Sequence, residues 1–352
     1  MHRCSTAFLN YVKIICENGK MKDIVDESSV KSLSTKEKIL VIIGPTAVGK
    51  TSLSIELAKK YNAEIISGDS MQIFQGMDIG TAKIKKEEMK GIPHHLIDIK
   101  KPEESFSVAE FQELVREKIT DITNRGKLPM IVGGTGLYIQ SVIYDYQFSD
   151  VPSNQSFREL LEKRAKEEGS VAIHQELKKV DPDSAEKIHP NNIRRVIRAL
   201  EIYHCTGKTM QEYQKQQNPD LLYDVAIVGL TMEREMLYER INQRVEMMME
   251  DGLIQEVKQL YDRGLRECQS IQAIGYKELY EYFDERVSLE EAIENLKKNS
   301  RNYAKRQLTW FRNKMDVKWF DMTGMTDDSM LGKKIVEISS FMEGKLKLKS
   351  NT

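Results

Sequence analysis

The sequence predicts an α/β protein, in which a parallel sheet carries a phosphate-binding loop and a helical domain is inserted between two of the strands. The segment GPTAVGKT, residues 44–51, follows a buried apolar run and precedes an amphipathic helical pattern. Strand and helix patterns then alternate to about residue 150. From 151 to 222 helical patterns replace the strands, until DVAIVGL resumes the sheet.

The elements of the predicted core follow one another in a regular order. The run KILVII at 38–43 is the first strand, and the strands AEIISGDS, HHLIDI and PMIVGGT come after it. A capping box of Ser107 and Glu110 opens a helix between the last two of these strands. Long helical patterns cover 233–263 and 288–314. This alternation is typical of a parallel sheet covered by helices.

Changes in pattern along the chain predict the domain boundaries. Residues 1–37 have weak periodicity and precede the first clear strand, so we expect a poorly ordered N-terminal extension. The catalytic core is expected to consist of 38–150 and 223–345, which leaves a tail at 346–352. Proline residues punctuate the segment 151–222, which is the predicted helical insertion.

Composition narrows the class of protein. The chain has 352 residues and a formal net charge of −1, so any nucleic-acid binding must come from local basic patches. The four cysteines are scattered and form no metal-binding pattern, which favours a reducing cytoplasm. No apolar run approaches the roughly 20 residues of a transmembrane helix. We therefore expect a cytoplasmic protein without a membrane partner.

The loop after the first strand has the chemistry of a phosphate site. Its residues are Gly44, Pro45, Thr46, Ala47, Val48, Gly49, Lys50 and Thr51. Glycines allow backbone N–H groups to face phosphate oxygens, the lysine adds a full positive charge, and the threonine hydroxyl suits Mg²⁺. The alternative interpretation is a chance glycine-rich turn, which the matching strand and helix on either side disfavour.

The residues expected of a nucleotide hydrolase are missing from the sequence. Such an enzyme needs an acidic residue at the end of a hydrophobic strand, but PMIVGG ends in two glycines. Asp69, in SGDSMQ, instead follows a strand, at the edge where open α/β sheets bind their ligands. A carboxylate there could act as a base, and the alternative is an aspartate that only caps a turn.

Seven segments in sequence resemble the tRNA dimethylallyltransferase family of bacteria. They are GPTAVGKT, ISGDSMQIFQGMDIGTAK, GIPHHLIDI, VGGTGLYI, IHPNNIRRVIRALE, SIQAIGYKE and RNYAKRQLTWFR. The resemblance extends from about residue 38 to 321. The N-terminal extension has no counterpart in the family pattern, and the zinc finger of eukaryotic members is missing, which favours a bacterial source.

The resemblance implies that the loop holds the diphosphate of dimethylallyl diphosphate as a leaving group. It implies Mg²⁺ as the cofactor and Asp69 as the general base for the N6 amino group of an adenine beside the anticodon. Thr135 and Arg158 match catalytic positions of the family. From the residues alone, Thr135 could be a helix N-cap and Arg158 a solvated surface residue.

An adenine in the anticodon loop is stacked, so it must leave the stack to reach Asp69. The resemblance therefore implies a channel that prenyl donor and flipped base enter from opposite ends. His94 and His95 are adjacent on a predicted strand, so at most one of them faces any site. We assign neither histidine a function.

The C-terminal helical pattern has the composition of an RNA-binding surface. Between 297 and 314 there are seven positive charges and no negative ones, with Tyr303, Trp310 and Phe311 interleaved. Cations suit phosphates and aromatic rings suit splayed bases. For Trp310 and Phe311 a place in the core fits the pattern better.

The resemblance implies tRNA contacts in four segments, with the anticodon stem-loop as the partner of a monomer. The implied residues are Asp69, Ser70, Met71, Gln72, Arg194, Arg195, Val196, Ile197, Arg198, Gln272, Ala273, Ile274, Gly275, Tyr276, Lys277, Lys305, Arg306, Gln307, Leu308, Thr309, Trp310, Phe311 and Arg312. Two other classes stay open. A prenyltransferase acting on free AMP or ATP would not use the basic C-terminal segment, and a phosphate-loop nucleotide kinase would need an arginine-rich lid.

Overall fold

The computed structural model describes residues 36–146, 154–215, 220–324 and 328–348. The chain divides into two units, 1–36 and 37–352, and the fold described here is that of the second. The predicted N-terminal extension therefore lies outside the described residues, except for its last two positions.

Six parallel strands form one sheet within the described residues. They are β1 (Lys38–Ile43), β2 (Ala63–Gly68), β3 (His94–His95), β4 (Leu128–Gly133), β5 (Asp224–Thr231) and β6 (Lys318–Asp321). Their order across the sheet is β3-β2-β4-β1-β5-β6, and every neighbouring pair is parallel. The predicted α/β class with a parallel core is confirmed.

Helices cover both faces of the sheet and form the insertion. They are α1 (Lys50–Tyr61), α2 (Val108–Asn124), α3 (Gly136–Ile143), α4 (Gln155–Glu168), α5 (Ser170–Val180), α6 (Pro182–Lys187), α7 (Ile193–Thr206), α8 (Met210–Lys215), α9 (Arg234–Glu250), α10 (Leu253–Asp262), α11 (Tyr276–Phe283), α12 (Leu289–Lys314) and α13 (Asp328–Leu346). The helices α4 to α8 lie between β4 and β5 in the chain, as the insertion prediction expects.

Two elements are shorter than the sequence predicts. The HHLIDI strand is limited to His94–His95, because Leu96 and Asp98 adopt positive φ angles of 61° and 57°, which cannot continue a strand. The helical pattern at 233–263 is two helices, because Gly252 has a φ of 103° between them.

Three apolar cores hold these elements together. One packs between a face of the sheet and α2, α3, α10, α11 and α12, and another packs between the opposite face and α1, α9 and α13. The third lies inside the insertion, where Leu161, Ile173 and Val196 pack together. The insertion thus has a core of its own.

Register brings the ends of three strands to one edge of the sheet. Ile43 of β1 and Gly68 of β2 both pair with Gly133 of β4. The residues that follow, Gly44 and Asp69 among them, are therefore neighbours at the carboxyl edge. This edge positions the site.

Candidate active site

The phosphate loop connects β1 to the N-terminus of α1. Gly44, Ala47 and Gly49 have positive φ angles of 156°, 64° and 100°, so the loop turns back tightly on itself. Lys50 Nζ donates to the carbonyl oxygens of Gly44, at 3.0 Å, and Pro45, at 2.8 Å. Thr51 is exposed in the first turn of α1. The lysine ammonium thus spans the loop where it would meet an anion.

The environment of Lys50 disfavours its positive charge until an anion is bound. Burial, together with the nearby Arg244 guanidinium, lowers the pKa of Lys50 to about 7, although the Asp69 carboxylate opposes the change. Two buried cations beside the loop, with Asp69 as the one carboxylate in the same cavity lining, are suited to bind a phosphate.

Arg244 is the site residue that the sequence analysis missed. It lies on α9, and its Nη1 donates to the hydroxyl oxygen of Thr46 at 3.3 Å. Burial lowers the pKa of Arg244. Arg240 precedes it by one helical turn and lines the same cavity. This i, i+4 arginine pair was the available signal, but helical spacing alone does not tell which face meets the loop.

A first cavity of about 410 Å³ opens beside the phosphate loop. Its polar wall includes Lys50, Asp69 and Arg244, and its apolar wall includes Ile65 and Val132. It offers cations at one end and apolar side chains elsewhere, as an amphipathic anion requires.

A second cavity of about 320 Å³ lies beyond the first. Ser70 and Met71 line it on one side, and Ile274 and Lys277 line it on another. Arg306 of α12 also reaches it. Three of the four segments predicted to contact tRNA thus contribute to this second cavity.

The two cavities share one set of lining residues. These are Thr46, Asp69, Thr81, Ala82, Arg244 and Tyr303. Asp69 therefore stands where the cavities meet, and a group entering from each side would meet beside its carboxylate.

The carboxylate of Asp69 is held by the backbone and is less acidic than an ordinary aspartate. Its Oδ1 accepts from the Met71 N–H at 2.8 Å, so it does stabilise the turn, as the alternative interpretation expected. Burial raises the pKa of Asp69, and the charge of Lys50 only partly opposes this. A raised pKa makes a carboxylate a stronger base.

Thr135 lies at the N-cap position of α3, as the alternative interpretation expected, and its side chain supports the Asp69 turn. It makes no side-chain capping hydrogen bond to α3. Its hydroxyl oxygen instead accepts from the Ser70 N–H at 3.2 Å. Tyr303 lies beside this pair, and burial with the nearby Asp69 charge raises the pKa of Tyr303 to about 12.

Arg158 lies away from both cavities. It belongs to α4 in the insertion, where its Nε donates to the Glu201 carboxylate at 2.7 Å. Arg198 pairs with the other oxygen of the same carboxylate. Glu201 is fully buried, so both arginines stabilise the insertion by neutralising it. The described structure does not bring Arg158 to Asp69.

The segments predicted to contact tRNA divide into exposed and buried side chains. The exposed ones are Arg194, Arg195, Gln272, Lys305, Arg306, Thr309 and Arg312. The buried ones are Val196, Ile197, Ala273, Tyr276 and Phe311. Each of these side chains packs in an apolar core, and Ala273 also lines the second cavity. The expectation that Phe311 belongs to the core is confirmed.

Gln307 is a further buried residue of these segments. Its Oε1 accepts from the Thr46 N–H and its Nε2 donates to the Gly134 carbonyl oxygen, both at 3.0 Å. A Cβ atom on Gly134 would lie 2.0 Å from Nε2. The side chain is 5% exposed, and its two hydrogen bonds connect the phosphate loop to the end of β4.

The other non-cationic positions of these segments also pack within the protein. Trp310 lies against Gly136, where a Cβ atom would be 2.1 Å from its ring. Leu308 packs against the core on the opposite face of the sheet. Gln72 accepts from the Ser67 hydroxyl at 3.0 Å and donates to the Thr81 carbonyl oxygen at 3.2 Å. Gln72 therefore braces the loop that follows Asp69.

The two adjacent histidines face different surroundings, as predicted. His94 lines the first cavity, and burial lowers its pKa. His95 Nε2 lies 2.7 Å from the Glu64 carboxylate, away from the cavity lining. The expectation that at most one histidine faces the site is confirmed.

The site was tested for its fit to Mg²⁺. No group of three or more histidine, cysteine, aspartate or glutamate side chains that could hold a metal occurs among the described residues. Of the residues lining the first cavity, Asp69 is the one carboxylate, and the lining also includes Thr51. This donor set fits Mg²⁺ held by the threonine hydroxyl together with oxygens of a bound phosphate.

In the described segments no helix is long and apolar enough to span a membrane.

The fold and the site define the class of this protein, which is that of the α/β phosphate-loop enzymes. The phosphate loop lies at the carboxyl edge of a parallel sheet, and a carboxylate lines the same cavity. The IPP transferase family model matches residues 72–314, which is more than half of the chain. Curated relatives match nearly all of the chain's core at high identity. The chain belongs to the IPP transferase family, whose relatives here are tRNA dimethylallyltransferases.

Two of these relatives come from bacilli. The tRNA dimethylallyltransferase of Anoxybacillus flavithermus is 66% identical over 315 residues, which is 90% of this chain and 99% of the relative. That of Bacillus cereus strain Q1 is 66% identical over 316 residues, covering 90% and 98%.

Solved structures agree with this assignment. The full-length tRNA isopentenylpyrophosphate transferase from Bacillus halodurans is 56% identical with a TM-score of 0.67, covering 89% of this chain and 99% of that one. A eukaryotic dimethylallyltransferase acting on tRNA is 34% identical with a TM-score of 0.76, covering 90% and 81%.

Proposed function

We propose that this protein transfers a dimethylallyl group from dimethylallyl diphosphate to N6 of the adenine immediately 3′ of the anticodon in tRNA. Diphosphate is released. The observation that carries the proposal is the pair of cavities that meet at Asp69, one beside the phosphate loop and the other lined by residues of three tRNA-matching segments, Arg306 among them. Family membership supplies the reaction class.

The first cavity is the proposed site of the prenyl donor. Lys50, Arg244 and the loop amides surround the position of the diphosphate, where they stabilise the negative charge that grows as the allylic C–O bond breaks. The Thr51 hydroxyl would hold Mg²⁺, which supplies further neutralisation of that charge.

The second cavity is the proposed site of the flipped adenine. Its N6 amino group attacks the allylic carbon and forms the new C–N bond, while diphosphate departs with the electrons of the broken bond. N6 then bears an extra proton, which Asp69 accepts. The raised pKa of Asp69 suits this step. Tyr303 lines both cavities and so helps to define the path between donor and adenine.

The exposed cations of two helices are the proposed tRNA surface. Arg194 and Arg195 lie on α7 of the insertion, and Lys305, Arg306 and Arg312 lie on α12. Phosphate contacts by such side chains position an RNA without reading its sequence. A monomer in the cytoplasm, where tRNA is available, fits this activity.

The acceptor is tested by a transfer assay. The protein is incubated with labelled dimethylallyl diphosphate and, in separate reactions, with tRNA, AMP or ATP. Label on tRNA alone is the expected result, and mapping should place it on the adenine 3′ of the anticodon. Label on AMP or ATP would establish a free-nucleotide prenyltransferase instead, and phosphorylation of a nucleotide by ATP would establish a kinase.

A further inference from the structure

One carboxylate outside both cavities accepts four hydrogen bonds. Glu256 lies on α10, and its Oε2 accepts from the backbone N–H groups of Asp78 and Ile79, both at 2.8 Å. Its Oε1 accepts from the Gly80 N–H at 3.0 Å and from the Tyr276 hydroxyl at 2.6 Å. A carboxylate has about four lone-pair sites, so its acceptor capacity is fully used.

These donors come from two neighbouring segments, each of which forms a wall of the second cavity. Gly80, Thr81 and Ala82 line one wall, and residues 272–275 together with Lys277 line the other. Tyr276 belongs to the second wall but turns its side chain away into the core, where it is fully buried. Glu256 therefore connects the two walls from behind.

Close packing at the same point supports this connection. A Cβ atom on Gly80 would lie 2.5 Å from the ring of Tyr276, so the loop rests directly on that ring. At the start of the same loop, the carbonyl oxygen of Phe74 accepts a hydrogen bond from Lys83 Nζ at 2.8 Å. The loop is thus braced internally, and Glu256 fixes its position against the wall that contains Tyr276.

We propose that Glu256 is a positioning residue that sets the spacing between the 80–82 loop and the 272–277 segment, and so the fit of the acceptor adenine in the second cavity. The inference rests on the function proposed above. Glu256 lines neither cavity, so it acts through the backbone that it holds. The donor site is built mainly by the phosphate loop and Arg244, and of the 80–82 loop it includes Thr81 and Ala82.

The test is Glu256→Gln in the full chain. The amide keeps one acceptor oxygen but places an NH₂ group against N–H donors, so at least one charge-assisted bond is lost. We expect the KM for an anticodon stem-loop to rise about tenfold or more, because hydrogen bonds to charged groups are the strong ones. The KM for dimethylallyl diphosphate should rise much less, since the phosphate loop and Arg244, which would hold the diphosphate, are unchanged.

A milder variant and a matched control accompany it. Tyr276→Phe keeps the ring against Gly80 and removes only one donor, so it should raise the acceptor KM less, and non-additively with Glu256→Gln. Asp262→Asn neutralises an exposed carboxylate of the same helix that pairs with Lys258, and should change neither KM. If Glu256→Gln does not fold, the acceptor KM of Tyr276→Phe tests the positioning role instead.

Hydrogen exchange separates this inference from the proposed function. In Glu256→Gln the amides of Asp78, Ile79 and Gly80 should exchange faster, while the phosphate-loop amides keep their protection. If these amides exchange faster but the wild type transfers no label to tRNA, Glu256 still holds the loop in place and the proposed function is refuted. Faster exchange with unchanged acceptor KM, or equal increases in both KM values, would overturn the positioning role.

Discussion

At the residue scale, the chemistry concentrates on two titratable groups whose pKa values move toward each other. Burial raises the pKa of Asp69 and lowers that of Lys50, although their opposite charges resist both changes. Burial therefore dominates the electrostatics of this site. The consequence is a carboxylate that is a stronger base than an ordinary aspartate, and a phosphate-binding cation with a pKa of about 7.

The role of Asp69 is tested by Asp69→Asn, which preserves shape and removes the proton acceptor. We expect kcat to fall by ~10² to 10⁴, with tRNA affinity within a few-fold of wild type. At pH values below the raised pKa of Asp69, the wild-type rate should fall, because protonation abolishes the base. The rate of the variant should not show this decrease at low pH. Single-turnover rates across pH measure both. A wild-type rate for the variant would leave Asp69 only its turn-stabilising role.

The lowered pKa of Lys50 predicts that donor binding depends on pH. An anion favours the protonated lysine, so binding takes up a proton wherever the free enzyme is partly neutral at this residue. With a pKa of about 7, donor affinity should weaken as the pH rises from 7.5 to 9, by up to about tenfold per unit.

Calorimetric titration of the donor measures this dependence. Lys50→Met should bind weakly at every pH and lose the dependence, while Arg244→Met should shift it to higher pH, because Arg244 lowers the pKa of Lys50. A flat profile for the wild type would show that the lysine is charged throughout this range.

At the element scale, helix α12 closes the site by packing on the glycines that follow β4. Gly134→Ala places a Cβ atom about where Gln307 Nε2 lies, so we expect a lower Tm and a higher donor KM. Gln307→Ala in the same chain should recover part of the Tm by removing the clash. Thermal unfolding and donor kinetics measure these effects.

A matched substitution tests whether the loss is local. Gly332→Ala lies on α13 in open space, where an alanine is accommodated without contact, so Tm should stay equal or rise slightly. Equal losses of Tm for both variants would show that the close approach at Gly134 is not the cause.

The arginines of α7 have two different roles within the same helix. Arg194 and Arg195 are exposed, whereas Arg198 pairs with the buried Glu201. Arg194→Ala with Arg195→Ala should weaken tRNA binding with little change in kcat at saturating tRNA or in Tm. Arg198→Ala should lower Tm, because it uncovers part of a buried charge.

Stem-loop titration and thermal unfolding distinguish these roles. As a control, Lys178→Ala with Lys179→Ala removes two exposed charges from α5 of the same insertion, outside the segments proposed to contact tRNA. If this pair weakened binding equally, the insertion would attract RNA by total charge. A collapse of kcat in the Arg194 and Arg195 variant would place α7 in the active site.

At the scale of the whole molecule, a nearly neutral chain must bind RNA through a local surface. Each single-strand phosphate contact should contribute about −0.7 to the slope of log affinity against log salt. With most of the basic residues of α7 and α12 engaged, we expect a slope of roughly −3 to −4. Lys305→Ala with Arg306→Ala should flatten it by about 1.4.

Fluorescence anisotropy of an anticodon stem-loop from low to moderate salt measures the slope. Thr309→Ala is the control on the same helix, because it changes an exposed neutral side chain and releases no counterion. A wild-type slope near zero would favour a free mononucleotide as acceptor. A steep slope that stays unchanged in the Lys305 and Arg306 variant would show that tRNA binds to another surface of the protein.

The sequence by itself determined the phosphate loop, the succession of the first five strands along the chain and the position of Asp69 at a strand end, but it did not predict β6 or the order of strands across the sheet. These features depend on local patterns, because a loop between strand and helix, or an aspartate after a strand, is specified by its immediate neighbours. The adjacency of His94 and His95 likewise settled that at most one faces the site.

Only the tertiary structure decided which side chains of the helices reach the site. Gln307 contacts the loop from 261 residues away, and Arg244 from 198 residues away. Periodicity identifies a helix but not the depth or partner of each face, since these depend on how distant elements pack. For the same reason Arg158 turned to Glu201, and Glu256 joined two walls that are far apart in the chain.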